Sequence, residues 1–147
     1  MVQQVDPLVW GVWSNALRRT GSNVVLWLMR WPEAGVPNLI RQATAAGVST
    51  SRLIVAPPYP EATHVLMKAS ADLALDTPVY GAHTTMSDLL WGGVPCLSLP
   101  LEHMATRIGA SLIQNIGGGN AIGQSGVSGL VLATHKEYED AMAGLAH

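Results

Sequence analysis

The chain has 147 residues, enough for one α/β domain that buries roughly 70% of the surface its unfolded form exposes. Hydrophobic residues make up 48% and charged residues 12%, with 15 glycines and 9 prolines spread along the length, which excludes a disordered chain and a collagen-like repeat. A formal charge of -2 provides no global positive field for nucleic acid or an anionic membrane, so any nucleotide must be held locally.

The single cysteine, Cys96, sits inside an apolar run and has no partner for an intrachain disulfide or a structural zinc site. No apolar stretch reaches the about 18 residues of a membrane span. The start Met1-Val2-Gln3-Gln4-Val5-Asp6 lacks a basic segment followed by an apolar one. These features predict a soluble, untargeted chain in a reducing compartment, cytoplasmic or nuclear.

Asp6-Pro7 reads as an N-cap with proline at the first helical position, opening a helix over residues 7–20. Val9, Trp13, Ala16 and Leu17 form its apolar stripe, Arg18 and Arg19 suit its C-terminal dipole, and Gly21 is placed to take a left-handed cap. Residues 24–29 are uninterruptedly apolar and too short for most helices, so they read as a strand covered on both faces of a parallel sheet. Pro37 opens a second helix that ends at Gly47, and residues 53–55 give a second buried strand. After the rigid loop of Pro57, Pro58 and Pro60 comes a helix over 61–69. A strand over 73–75, a helix over 84–91 stopped by Gly92-Gly93, a strand over 94–99 and a helix over 103–114 follow. Residues 117–129 hold six glycines and no periodicity, which predicts a loop before a short strand at 130–132. Thr134 and Glu137 have capping-box spacing for a last helix. The alternation argues a doubly wound parallel sheet in a single domain over residues 1–147, with ligands outside the carboxyl ends of its strands.

That edge carries the candidate site. The stretch from Asp76 through Asp88 concentrates polar groups where a strand hands over to a helix. Thr84 and Thr85 offer hydroxyls and free amides at the helix start, an arrangement that binds phosphate without lysines. Asp88, one turn further in, suits ribose hydroxyls, and His83 suits a phosphate or a leaving oxygen. The competing reading makes Thr84 or Thr85 a simple cap, Asp88 a dipole partner and His83 a loop residue. His64, beyond the proline-rich loop, faces the same crevice or is a partly buried helix histidine.

Other chemistries find less support. The five histidines have no i, i+4 pair and no accompanying carboxylate pattern, so no metal is expected. Gly117-Gly118-Gly119 follows a predicted helix where a phosphate loop would follow a strand. No serine stands in a nucleophile elbow, and Cys96 reads as core. Trp10, Trp13, Trp27, Trp31 and Trp91 read as packing residues.

The run Leu75-Asp76-Thr77-Pro78, then Gly81-Ala82-His83-Thr84-Thr85, Asp88 and Leu90-Trp91-Gly92-Gly93-Val94-Pro95 resembles the core signature of the O-GlcNAc transferase and SPINDLY family. Asp6-Pro7, Ser22 to Leu28, Pro60 with His64, Ala105-Thr106-Arg107 and Glu137 to Asp140 agree in order. The resemblance implies a Rossmann-like fold, the C-terminal half of a GT-B glycosyltransferase that holds the nucleotide of UDP-GlcNAc. It further implies inverting, metal-free transfer to Ser or Thr hydroxyls of an acceptor protein, with no cofactor beyond the nucleotide-sugar donor. By position, His83, Thr84 and Thr85 would contact the diphosphate, Asp88 the ribose and His64 the nucleotide side of the cleft. Tyr59, Lys68 and Gln4 are accessory candidates, and no residue here is assigned to catalysis.

The departures lie in cations. Where the family has a lysine before the Asp-Pro stands Gln4, where it has an arginine stands Met67 beside Lys68, and where it has a lysine after the loop proline stands Glu61. The N-terminal GT-B half and the tetratricopeptide repeats are absent from the sequence, so the chain is expected to transfer poorly by itself. An apolar face is expected where that half, or another chain, would dock. GDP-fucose is the alternative donor, and an interaction module that has lost its nucleotide is the alternative function.

Overall fold

The computed structural model describes residues 5–116 and 130–146. Gln4, the glycine-rich segment 117–129 and the side chain of Glu61 lie outside that description. Helix α1 (Pro7–Arg19) starts as predicted: Asp6 is extended, its carboxylate accepts the Val9 amide at 2.7 Å, and Pro7 occupies the first turn. Its end differs from expectation, because among the described glycines only Gly47 and Gly93 have positive φ. Thr20 stays extended and its hydroxyl donates to the Leu17 carbonyl at 2.9 Å. Arg52 completes the end, with Nη1 donating to the Leu17 carbonyl at 2.6 Å, Nη2 to Thr20 Oγ1 at 2.8 Å and Nε to the Val24 carbonyl at 2.7 Å. A guanidinium there satisfies orphan acceptors and complements the helix dipole.

β1 (Leu26–Met29) pairs in parallel with β2 (Leu53–Ala56), from Leu26 opposite Leu53 to Met29 opposite Ala56. The crossover is α2 (Val36–Ala45). It closes on Gly47, whose φ of +74° lets the Val48 amide donate to the Ala43 carbonyl and the Gly47 amide to that of Thr44. After α3 (Glu61–Lys68), β3 (Ala74–Leu75) pairs in parallel with β4 (Cys96–Leu97) across α4 (Thr84–Trp91). Gly93, with φ of +79°, closes α4 by the same bond pattern, from the Val94 amide to the Leu89 carbonyl and from its own amide to Leu90.

β1, β3 and β4 are shorter than predicted, while β2 runs one residue further, to Ala56. Ile54 is 47% exposed, so β2 is not covered on both faces. The expected strand at 130–132 is a single parallel bridge from Val131 to Ser98. The predicted helix over 103–114 is a 3-10 turn (Met104–Thr106) followed by α5 (Ile108–Ile116). Thr106 sets that break: its hydroxyl accepts the Leu101 amide at 2.9 Å and donates to the His103 carbonyl at 2.7 Å. α6 (His135–Leu145) carries the predicted capping box of Thr134 and Glu137.

One core joins Trp10, Trp13 and Leu17 of α1 with Leu26 and Leu28 of β1, Leu97 and Tyr138. α1 lies along α6, and Arg19 Nη1 ties them through Glu139 at 2.9 Å and Asp140 at 2.6 Å. A second cluster of Met86, Cys96 and Ile113 joins α4, β4 and α5. The packing reading of the tryptophans holds for Trp10 and Trp13, while Trp31 and Trp91 are exposed. Helical periodicity does not distinguish a buried from an uncovered apolar face.

Cys96 is fully buried, and burial, helped by the nearby Asp76 charge, pushes its thiol up to about 12. It is therefore a thiol at neutral pH and shielded from reagents. A disulfide reagent such as Ellman's reagent should leave the native chain unmodified and take up one equivalent in denaturant. Rapid native modification would contradict this packing.

Candidate functional site

The site is built on a buried carboxylate at the end of β3. Asp76 Oδ1 accepts the Thr77 amide at 3.0 Å and the Ala82 amide at 2.6 Å, while Oδ2 accepts from the Ser98 hydroxyl at 2.8 Å. The Asp76 carbonyl accepts from the Tyr138 hydroxyl at 2.8 Å. Residues 76–83 are thus bent back onto their own first side chain. Thr77 reinforces the bend by donating its hydroxyl to the Tyr80 carbonyl at 2.7 Å. Burial raises the Asp76 carboxyl above its ordinary range, and hydrogen bonds from Ala82, Ser98 and Thr77 oppose that rise. Burial likewise pushes the Tyr138 phenol up, which keeps it a neutral donor.

The Ala105 carbonyl locks the loop from the other side. It accepts the Gly81 amide at 3.1 Å and stands 3.1 Å from His83 Nε2. A proton on Nε2 completes that bond and leaves Nδ1 available to another partner. Tyr80 packs over the imidazole with ring centroids 5.1 Å apart. His83 is the N-cap residue of α4 but makes no side-chain cap bond, and its carbonyl accepts the Met86 and Ser87 amides. The simple-cap reading of Thr84 and Thr85 therefore fails, since both lie inside the helix, exposed at its first turn.

Asp88, one turn on, is held by Lys68 of α3, with Nζ 2.7 Å from Oδ2. His64 Nδ1 lies 3.9 Å from the same oxygen. The structure therefore brings His64, Lys68 and Asp88 together between α3 and α4. His83, Thr84 and Thr85 follow from the adjoining loop. Tyr59 does not join them: its ring meets Trp27 edge-on at 6.1 Å. A cavity of about 620 Å³ is lined by Pro100, Leu101, Arg107, Ser111 and Gln114 among others, and by no residue of the loop. Among the described residues no group of three His, Cys, Asp or Glu side chains could hold a metal ion. No described helix is long and apolar enough to cross a membrane.

Sequence reasoning gave Asp76 no separate role, met Ala105 and Tyr138 only as members of segments that carry the resemblance, and did not single out Ser98. A carboxylate between a strand and a Thr-Pro turn was the available signal for Asp76. Ser98 and Tyr138 stand 22 and 62 residues from it and carry no local pattern.

The arrangement defines a Rossmann-like α/β unit whose polar loop stands at the carboxyl end of a parallel strand. A Thermobaculum terrenum O-GlcNAc transferase mutant superimposes with a TM-score of 0.83 at 29% identity, covering 98% of this chain and 26% of that one. The family model "Glycosyl transferase family 41" matches residues 1–145, and the chain belongs to that family. An Arabidopsis thaliana protein, "Probable UDP-N-acetylglucosamine--peptide N-acetylglucosaminyltransferase SEC", is 37% identical over 97% of this chain. A Caenorhabditis elegans "UDP-N-acetylglucosamine--peptide N-acetylglucosaminyltransferase" is 31% identical over 92%. The chain spans 14% and 11% of those two relatives.

Proposed function

We propose that this chain is the nucleotide-sugar-binding half of a protein O-GlcNAc transferase, taking UDP-GlcNAc on the loop from Asp76 to Thr85. The observation that carries this reading is the Asp76-anchored turn, which presents the first amides and hydroxyls of α4 beside the paired Lys68 and Asp88. The diphosphate would sit on the amides of Thr84 and Thr85, where the helix dipole is favourable and no metal is called for. His83 would face the phosphate side through Nδ1, the ring nitrogen that Ala105 does not engage. Asp88, oriented by Lys68, would accept from the ribose hydroxyls, and His64 would flank the nucleoside.

Transfer to a Ser or Thr hydroxyl of a protein needs the acceptor held in line with the sugar carbon, a task for the remainder of the GT-B region. The chain by itself is therefore a binding half with little or no transferase activity. Calorimetric titration with UDP and GDP at fixed salt tests the reading. Saturable UDP binding weakened about tenfold, or ~1.4 kcal/mol, by His83→Ala is expected. Preference for GDP would move the donor to GDP-fucose. No heat with either nucleotide from folded protein would favour an interaction module without a nucleotide.

A further inference from the structure

The imidazole of His83 stands at the start of α4 with little to hold it. It makes no cap bond to the helix and is half-buried. Among the described residues its hydrogen-bond partner is the Ala105 carbonyl, 3.1 Å from Nε2. A single bond fixes one atom of a ring, and a half-buried group exchanges such a bond for water at small net cost. The second contact is Tyr80, which lies over the imidazole with centroids 5.1 Å apart and planes tilted by 32°, the geometry of an offset aromatic pair.

Three features keep Tyr80 there. The Thr77 hydroxyl donates to its carbonyl at 2.7 Å. The following amide, that of Gly81, donates at 3.1 Å to the Ala105 carbonyl. His83 Nε2 approaches the same oxygen, so one acceptor gathers the backbone beside Tyr80 and the ring beneath it. Gly81 permits that closure, since a Cβ on it would stand 3.0 Å from the Ala105 oxygen and 3.3 Å from Asp76 Oδ2. Yet Tyr80 is not core: it is 49% exposed. A large ring left half in water adds little to the fold by burial, so its placement points to the imidazole it covers.

We propose that Tyr80 is a positioning residue that acts through His83. Its ring keeps the imidazole in the one orientation that seats Nε2 on Ala105 and leaves Nδ1 for a ligand at the start of α4. The ligand, a nucleoside diphosphate, rests on the function proposed above, whereas the hold on the ring rests on this geometry. The imidazole can release Ala105 only by swinging out of its plane or turning over, and a neighbour stacked on one face obstructs both motions. Tyr80 does this without touching the nucleotide.

The test compares Tyr80→Leu, which keeps apolar bulk but loses the aromatic face, with the conservative Tyr80→Phe, in the full chain. Proton-nitrogen spectra of the neutral His83 ring report which nitrogen carries the proton, and titration with UDP reports binding. The parent and Tyr80→Phe should show one tautomer, protonated on Nε2, and Tyr80→Leu a mixture of two. Tyr80→Leu should bind UDP about two- to tenfold more weakly, the worth of an aromatic pair, and Tyr80→Phe should restore parental binding. In a His83→Ala background Tyr80→Leu should have no further effect. Because Tyr80 is half-exposed, each variant should melt close to the parent.

Ring signals in Tyr80→Leu that match the parent's would overturn the proposal, as would unaltered UDP binding beside a freed ring. Additive losses in the double variant would mean that Tyr80 meets the ligand itself, against the proposal. A Tyr80→Phe that behaves as Tyr80→Leu would assign the effect to the hydroxyl and equally overturn it. A parent that binds no UDP, while its ring signals respond to Tyr80→Leu as expected, retires the nucleotide reading and leaves the hold of Tyr80 on His83 standing.

Discussion

Replacing Asp76 by alanine should unfold the loop that carries the site and lower stability by about 3 kcal/mol or more. Three donors, the amides of Thr77 and Ala82 and the Ser98 hydroxyl, lose their acceptor together. Each buried donor left unpaired costs about 1–3 kcal/mol, and entry of water recovers part of the sum. In a domain of this size the melting temperature should fall roughly 10 °C. UDP binding should vanish even below the new transition, because residues 77–83 lose their anchor. Asp76→Asn separates charge from geometry: its amide oxygen still accepts two backbone amides, and the Ser98 hydroxyl can turn to accept from the new NH2.

The pH dependence has a definite sign. Burial raises the native Asp76 carboxyl above its unfolded value, so the folded state holds its proton to higher pH. That contribution to stability is fully present below the unfolded value and is lost as pH rises through the native one. Stability relative to Asp76→Asn should therefore decline across the interval just above the ordinary carboxylate range and then level off. Chemical denaturation at a series of pH values reads this directly, and a difference that rises with pH would contradict the assignment.

Gly109→Ala should be the second most damaging of these substitutions, at about 2–3 kcal/mol. A Cβ at Gly109 would stand 2.5 Å from Asp76 Oδ2 and 2.8 Å from Met86 Cε. Met86 is 1% exposed and Asp76 4%, so neither has free space to retreat into. The carboxylate is also pinned by Ser98. The strain thus falls on the group that shapes the loop, and denaturation should show lower stability together with weaker UDP binding. As a control, Gly11→Ala meets nothing within 4 Å and should stabilise α1 slightly through helix propensity. Equal stability of Gly109→Ala and the parent would show that α5 does not press on Asp76.

Local chemistry was legible in the sequence. The Asp6-Pro7 start, the bounds of α4 with its Gly93 closure and the Thr134 and Glu137 capping box depend on neighbours within a turn, and each forms as read. The grouping of His64 with Asp88 followed from placing both near one strand edge. Groups brought together across the chain were not legible. Arg52 caps α1 from 35 residues beyond Leu17, where Gly21 had the local credentials. The division of the described strands into two pairs is a matter of backbone pairing, which an apolar run does not encode. Trp91, 89% exposed, fitted a packing stripe on α4 because periodicity says which residues share a face and not whether anything covers it.

The measurement that bears most directly on the central claim is a titration of the isotope-labelled chain with UDP, followed amide by amide. Binding at the Asp76-anchored turn predicts saturable shifts centred on Ala82, His83, Thr84 and Thr85, with Asp88 and His64 following, and little change at α2. No shift at high UDP from a folded chain would contradict the account. So would shifts confined to the cavity around Arg107 and Gln114, since the nucleotide would then sit away from the loop that Asp76 holds.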